Sequence, residues 1–498
     1  MFINRTFFAT ALVAASLLTG CNSNWLTGGP SDPGSPPPAA PPAPVVVDGV
    51  RTSYADVVER TSAAVVRIEA VHKANQAQPQ FPFGDDDFFR QFPIPRQQTP
   101  RSPLERGLGS GVIVSADGNI LTNYHVVGGA ERITVLMTDN KSFEAKIVGT
   151  DELSDLAVLK IEAQNLPFLT LGNSDNVRVG DIVLAIGNPL GIGQTVTAGI
   201  ISAKGRRTGL SDGSFEDFLQ TDAPINRGNS GGALVNLNSE LIGINSQILS
   251  SPGSAGGNIG IGFAIPSNMA KSVMDQLLKD GKVHRGMLGV NIQNITDDTA
   301  RALELPDSSG VIVSNVQPGS AADKAGIKRG DIITAINGEK IEDSNVLRNK
   351  IAGILPGTEI KLTIAREGKQ QELTATLDEF DVDKARRDAG QPEQQSPDNN
   401  AQPQSGKLGL TLQPLTAEAA RRLTLPEGTE GLVVSDIDPN GPAASEGIAR
   451  GDVIMEINRQ PVRTLDDVQA ALDRSGTRPV LLLISRRGQT IFLTVRPQ

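Results

Sequence analysis

The sequence predicts a mostly β protein, and three observations carry that prediction. From Gly107 to Pro266, short apolar runs alternate with Gly-, Asn- and Asp-containing turn signals; examples are Gly111 to Val114, Ile120 to Thr122, Ile133 to Met137, Leu156 to Ile161, Ile182 to Ile186 and Leu241 to Ile244. Such spacing suits an all-β barrel or sandwich rather than βαβ units. The composition agrees, with 52 glycines to make turns and only 4% aromatic residues. Downstream the chain repeats itself. Leu303-Glu304-Leu305-Pro306 returns as Leu423-Thr424-Leu425-Pro426, and Gly326-Ile327-Lys328-Arg329-Gly330-Asp331 as Gly447-Ile448-Ala449-Arg450-Gly451-Asp452. The period is about one small domain, too long for a solenoid unit, so two copies of one module follow the β unit.

Taken in order, residues 1–20 read as an export signal, with Arg5 followed by an apolar stretch from Ala9 to Leu18 that is too short to span a bilayer. It ends Leu18-Thr19-Gly20-Cys21, which resembles a bacterial lipobox whose cysteine becomes the lipidated first residue of the mature chain. An ordinary signal peptide that happens to hold a cysteine is the alternative. Residues 22–50, with Pro36-Pro37-Pro38 and Pro41-Pro42, cannot build a core and read as a spacer. Residues 51–281 hold the β unit, opened by a short helix at Ala55 to Arg60 and a strand at Ala64 to Val71. It closes with a helix from Asn268 to Lys279, which Gly281 stops. A loop from about Lys73 to Arg106 carries Asp85-Asp86-Asp87 and the phenylalanines Phe81, Phe83, Phe88, Phe89 and Phe92. Exposed aromatics of that kind dock on a neighbouring subunit or on substrate. The repeated modules occupy 284–378 and 406–498, joined by a Gln-, Pro- and Asn-rich linker over 379–405.

Charge and rare residues exclude several classes. A net charge of −10 and a pI near 5.1 leave no basic footprint for nucleic acid. One cysteine excludes an internal disulfide framework and a thiolate cluster, and three scattered histidines make a metal site unexpected. No cofactor is expected. Gly187 to Gly193 is glycine-rich but lacks the Lys-Ser/Thr that a phosphate-binding loop needs, so no nucleotide is expected to drive the chemistry. No run after the export signal is long and apolar enough to span a bilayer as a helix.

The stretch with chemistry is Asn226-Arg227-Gly228-Asn229-Ser230-Gly231-Gly232-Ala233-Leu234. A serine hydroxyl needs a base to take its proton, and neighbouring glycines let backbone N–H groups converge on a developing oxyanion. Any histidine base is His72, His125 or His284. His125 lies in Leu121-Thr122-Asn123-Tyr124-His125-Val126-Val127, where a strand runs towards Gly128-Gly129, and Asp155 stands at the entry to another strand. With Ser230 the chain order is His, Asp, Ser, the chymotrypsin order. In that mechanism His125 takes the Ser230 proton, Asp155 holds the imidazole, and the N–H groups of Gly228 and Ser230, with Asn229, form the oxyanion hole. Asp151, four residues away, is a rival acid. Gly228 to Gly232 also fits the G-x-S-x-G elbow of lipases, but that elbow needs a helix after the serine and a later histidine. Here Leu234 to Ile242 reads strand, turn, strand, and the only later histidine, His284, sits at the junction to the first repeat.

Thr122 to Val126, Ser154-Asp155-Leu156-Ala157-Val158 and Asn226 to Leu234, with Ile259 to Pro266, resemble the signature blocks of the HtrA (DegP-like) serine endoproteases. The likeness runs from about Tyr54 to the end. It implies a chymotrypsin-like double β-barrel followed by two PDZ domains of α+β type, and it favours Asp155 over Asp151 because Asp155 occupies the motif position. It implies an S1 pocket lined by Ile225, Ile248 and Ile261. Peptide C-termini would be held by carboxylate loops at Gly286, Met287, Leu288 and Gly289 in the first PDZ and at Lys407, Leu408 and Gly409 in the second. Val346, Lys350 and Ile354 would flank the first groove, and Val468 and Leu472, behind a Thr464–Asp467 capping box, the second; packing or assembly alone is the alternative use of the second copy. The resemblance further implies unfolded protein substrates, trimers or their multiples, a bacterial periplasmic location, and an oxyanion hole formed on demand by loops at Gly187 to Gln194, Arg206 to Ser214 and Gln247 to Asn258. A chaperone or PDZ scaffold with secondary cleavage is the alternative. Activity would fall as pH drops through roughly 6–7, since the base must be neutral.

Overall fold

The computed structural model describes residues 46–47, 50–73, 104–188, 193–208, 214–226, 228–248, 258–382, 407–423, 425, 428–476, 478–486 and 488–497. Cys21, the Phe- and Asp-bearing loop and most of both spacers lie outside them.

The β unit is two closed six-stranded barrels. The first uses β1 (Val65–Lys73), β2 (Leu104–Ile113), β3 (Asn119–Thr122), β4 (Arg132–Leu136), β5 (Ser142–Asp151) and β6 (Leu156–Ile161), closed in the order β1-β2-β3-β6-β5-β4. The second uses β7 (Ile182–Gly187), β8 (Thr195–Arg206), β9 (Phe218–Thr221), β10 (Ala233–Asn236), β11 (Leu241–Ile248) and β12 (Gly262–Pro266), in the order β8-β9-β12-β11-β10-β7. Strands facing solvent on one side, such as β4, alternate buried and accessible residues, whereas β6 is buried almost throughout. The reason is visible in the core. One apolar cluster fills the first barrel and continues onto the outer face of the second through Leu184, Ile186, Val235 and Ile244, and a separate cluster with Val183, Ile201, Leu219 and Leu234 fills the second barrel. The seam between barrels is therefore apolar, and it carries the site.

Short helices punctuate this frame. Helix α1 (Ala55–Thr61) precedes β1 as the sequence predicts. The strand expected to run through His125 instead stops at Thr122. Asn123 is extended, and Tyr124–Val127 forms a one-turn helix, α2. Helix α3 (Ser267–Asp280) buries Ala270, Val273 and Leu277 against the barrels and ends at Gly281, whose φ of 70° turns its N–H back to the Leu277 carbonyl.

Each repeat is a six-stranded antiparallel sheet, five strands in a row and a short sixth on one of them, with helices between strands. In the first, β13 (Gly286–Met287) leads into β14 (Val290–Asn294), β15 (Val311–Val316), β16 (Ile332–Ile336), β17 (Glu339–Lys340), β18 (Glu359–Arg366), β19 (Lys369–Thr376) and β20 (Asp378–Glu379), with α4 (Asp297–Ala302), α5 (Ala321–Lys324) and α6 (Ser344–Ala352) between strands. Its sheet order is β14-β15-β16-β18-β19, so β14 is an edge strand, while β13 pairs with β20. That last ladder extends one residue into the segment expected as linker. The second copy repeats the plan with β21 (Leu410–Pro414), β22 (Leu432–Ile437), β23 (Val453–Ile457), β24 (Gln460–Pro461), β25 (Val480–Arg486) and β26 (Gln489–Val495), and helices α7 (Ala417–Arg422), α8 (Pro442–Ser445) and α9 (Leu465–Ser475). The expected Thr464–Asp467 capping box opens α9. The two copies pack sheet to sheet. Ile295, Ile312 and Ile332 of the first meet Leu481, Leu483 and Phe492 of the second, and the Gln293 carboxamide bonds both the N–H and the carbonyl of Phe492 at 2.7 and 3.1 Å.

Candidate active site

Two residues come from the first barrel. Asp155 closes a 3-10 turn, Glu152–Ser154, with a left-handed φ of 54°, and this turn aims its carboxylate at α2. That carboxylate accepts from the His125 ring Nδ1 at 2.8 and 2.9 Å and from the His125 backbone N–H at 3.0 Å. A proton on Nδ1 leaves Nε2 as the basic nitrogen. The break after Thr122 explains how His125 gets there: Tyr124 N–H and the Asn123 side-chain amide both donate to the Asp155 carbonyl, at 3.1 and 3.0 Å. The histidine turn and the aspartate turn are thus stitched together by backbone as well as side chain. His125 is about one-third exposed, as a group meeting substrate must be.

The second barrel supplies Ser230 and a residue that sequence reasoning misses. The hydroxyl of Ser246, buried on β11, donates to Asp155 Oδ2 at 2.9 Å, and its carbonyl accepts from the Ser230 hydroxyl at 3.0 Å. Ser246 therefore touches both the acid and the nucleophile across the barrel seam. Nothing in its local sequence marks it; only the fold brings it there. Asp151, the rival acid, is committed elsewhere. It accepts from the Ser154 N–H at 3.2 Å and from the Ser154 hydroxyl, and it receives both guanidinium nitrogens of Arg285, Nη1 at 2.8 Å.

Around the serine, Gly228 takes a φ of 94° and Gly231 one of 80°, both in the region that favours glycine. Of the three N–H groups expected to line an oxyanion hole, that of Asn229 is corrected by the structure. It donates to the Asn226 carbonyl at 2.9 Å, closing a tight turn that points it away. Gly228 and Ser230 remain. The backbone brings the three isoleucines expected at S1 near Gly262. Ile225 lies 1% exposed in the second barrel, with its side chain against the Gly262 Cα; Ile248 pairs with Gly262 through the backbone; and Ile261 precedes it, half-buried. The three loops expected to act as switches fall largely outside the described residues.

The segments expected to hold a peptide carboxylate are built similarly in the two modules. Leu288 and Gly289 have their carbonyls tied back by Ala322 N–H and Gln317 N–H at 2.8 and 2.9 Å, and Gly289 has a φ of 79°. Met287 sits beside them in β13, and the Gly286 N–H is spent on the Ile354 carbonyl. In the second copy Leu408 and Gly409 accept from Ala443 N–H and Asp438 N–H, while Lys407 pairs with Asp473 of α9 at 2.8 Å. Val346 and Ile354 pack partly buried on the first module's core, and Lys350 pairs with Glu339. Val468 and Leu472 are buried in the second core rather than lining an open groove. His284 pairs with Glu379 at 2.7 Å, and His72 lies on β1 opposite Glu105.

Two six-stranded barrels with a His–Asp–Ser set across their seam define a trypsin-like serine peptidase, and comparison with known proteins agrees. A trypsin-like peptidase domain model matches residues 109–244, and PDZ domain models match 286–377 and 433–486. A probable periplasmic serine endoprotease, DegP-like, of Chlamydia trachomatis is 41% identical over 462 residues, covering 90% of this chain and 89% of that one. A DegP-like relative from Brucella suis is 40% identical over 479 residues, covering 89% and 90%. The solved structure of the HtrA-type protease AlgW with a tripeptide is 41% identical; the match covers 66% of this chain and 98% of that one, with a TM-score of 0.54. The chain belongs to the HtrA family of DegP-like serine endoproteases.

Proposed function

We propose that this serine endopeptidase degrades unfolded or misfolded proteins of the bacterial envelope without nucleotide, through an acyl-enzyme on Ser230. The observation that carries the reading is the hydrogen-bonded run His125–Asp155–Ser246–Ser230 across the barrel seam. His125 is the general base that takes the Ser230 proton and returns it to the leaving amine, Asp155 fixes its tautomer, and the backbone N–H groups of Gly228 and Ser230 receive the oxyanion. Ile225, Ile248 and Ile261 favour small aliphatic side chains at S1. The edge strand β14 and the loop Gly286–Gly289 offer a peptide C-terminus a strand to join and amides to meet; AlgW, a relative, was solved with peptides. Homologues carry periplasmic names, and the Cys21 lipobox anchors the chain there. Assembly is as a trimer or multiples of it.

The test is casein cleavage by wild type and Ser230→Ala. The variant is expected to lose activity by about 10⁵-fold or more, in line with removal of a triad nucleophile. Cleavage at the wild-type rate would sink the assignment, and retained suppression of casein aggregation by the dead variant would reveal a holdase function beside it. For the anchor, Cys21→Ser should release the chain from the membrane fraction with peptidase activity intact; persistence in that fraction would assign the anchor elsewhere.

A further inference from the structure

Among the buried polar residues of the β unit, Ser110 of β2 has the densest set of bonds to the nucleophile loop. It is fully buried and belongs to the first barrel, yet four of its hydrogen bonds reach or brace elements that shape the catalytic serine. Its hydroxyl donates to the Gly228 carbonyl at 2.5 Å and accepts from the Asn188 N–H at 2.8 Å. Its N–H donates to the Ser230 carbonyl at 2.8 Å, and its own carbonyl is held by the Thr122 hydroxyl at 2.7 Å. A side chain on Gly231 would stand 2.1 Å from the Ser110 carbonyl oxygen and 2.4 Å from the Thr122 hydroxyl, so backbone meets backbone here without room for adjustment.

The geometry assigns Ser110 as a positioning residue for the oxyanion hole, an inference that rests on the catalytic reading of Ser230 above. The peptide plane sets the logic. In a trans peptide the carbonyl and the following N–H point opposite ways. Ser110 pulls the Gly228 carbonyl to one side, and the Asn226 carbonyl takes the Asn229 N–H on the other, so the Gly228–Asn229 plane is clamped from both faces. The next plane is held by Gly232 N–H on the Asn229 carbonyl, and the one after by Ser110 N–H on the Ser230 carbonyl together with Gly231 N–H on the Asn245 carbonyl at 2.7 Å. Every plane from Gly228 to Gly231 is thus fixed, and two of the clamps come from Ser110. The first is the one at risk, because Gly228 at a φ of 94° tolerates either orientation of its neighbouring planes. The Gly228 N–H lies in the preceding plane, joined to this one through the Gly228 Cα, so releasing the clamp frees the Gly228 ψ and with it the relative setting of the Gly228 and Ser230 N–H groups that meet the oxyanion. The Asn188 contact adds a second duty: it ties the start of the loop after β7 to the same hydroxyl. The hydroxyl uses its one proton on the loop and one lone pair on Asn188, so an alanine orphans a carbonyl and an N–H together.

The experiment compares kcat and KM on a chromogenic peptide for wild type, Ser110→Ala, Ser110→Cys and Ser267→Ala, with melting temperatures for each and Ser230→Ala alongside. Ser267 is the control: a buried hydroxyl that donates to the Gly172 carbonyl at 2.6 Å, at the head of α3. Losing an oxyanion donor outright costs about 10²–10³ in kcat; misplacing one should cost Ser110→Ala on the order of 10- to 100-fold. KM should stay within about threefold and the acid limb of the pH profile should not move, because His125 is untouched. Ser110→Cys, which keeps a weak donor, should fall between. Ser267→Ala should keep its kcat within about twofold at a similar loss in melting temperature. Full kcat in Ser110→Ala with a dead Ser230→Ala overturns this inference alone; an active Ser230→Ala overturns the catalytic reading with it. If the alanine variant does not fold, Ser110→Cys decides, and wild-type kcat in it counts against the assignment.

Discussion

The two PDZ copies share a fold, a sheet order and a buried core, and they differ in what they hold. The first is bolted to the protease. Arg285, one residue ahead of Gly286, is buried on Asp151, the residue that caps the turn carrying Asp155, and its guanidinium lies 4.8 Å over the Phe215 ring. Arg348 of α6 covers the same ring at 4.7 Å, and Asn345 and Asn349 of that helix both donate to the Glu216 carbonyl, at 2.9 and 2.7 Å. The helix expected to flank the first groove is therefore also the helix that grips the protease. The second copy, among the described residues, leans on the first through sheet faces. Where the first copy has Met287, the second has Lys407, which turns inward to its own α9. One module occurs twice, and residues at its contact faces differ between the copies.

That contrast can be broken experimentally, starting with the bolt itself. Arg285→Ala leaves the Asp151 carboxylate buried without its partner, at 7% and 8% side-chain exposure for the pair. Removing one member of a buried pair costs about 3–5 kcal/mol, so calorimetry should show the first PDZ melting apart from the protease. A wild-type melting curve would mean that the bolt holds nothing. Asp217, on the protease side of this interface, probes the same contact through pH. Burial pushes its pKa above the ordinary value, the Asp175 carboxylate adds to that, and Lys204 and Lys350 oppose it. Because the folded pKa is raised, the folded chain keeps a proton that the unfolded chain has released. The cost is absent below the unfolded value of about 3.9 and grows as pH rises through the folded one. Asp217→Asn should raise the melting temperature at neutral pH, on the order of a degree, and leave it unchanged near pH 3.5; a rise of equal size at both would exclude titration as the cause. The smallest effect belongs to the second copy. Lys407 and Asp473 are both about half exposed, so Lys407→Ala should leave melting unchanged within error. A clear loss would make that pair structural and narrow the difference between the copies.

The features legible in the sequence are the ones with a local period or motif. The barrel strands show as apolar runs between turns, the repeat as literal echoes, and the His, Asp and Ser positions as motifs whose chain order already separates protease from lipase. What stays hidden depends on distant approach. Ser246 and Ser110 look like ordinary strand serines, and they become part of the site only because two barrels close on each other. The one-turn helix at Tyr124–Val127 reads as strand in the sequence because Val126 and Val127 favour strands; the Asp155 carbonyl, taking two donors from Asn123 and Tyr124, overrides that preference. The Asn229 N–H departs from expectation for a similar reason: the Asn226 carbonyl, three residues back, takes it in a turn that only the folded loop closes.

The seam itself has a consequence for the order of events when the chain folds. The first barrel holds His125 and Asp155, the second holds Ser230, and Ser110 of the first bonds the loop around Ser230 across the seam. A chain with one finished barrel owns half a catalyst and no shaped cavity for an oxyanion. Competence to cut arrives last, with the closing of the two halves. A copy whose two barrels have not yet closed on each other is thus harmless to its neighbours and to itself.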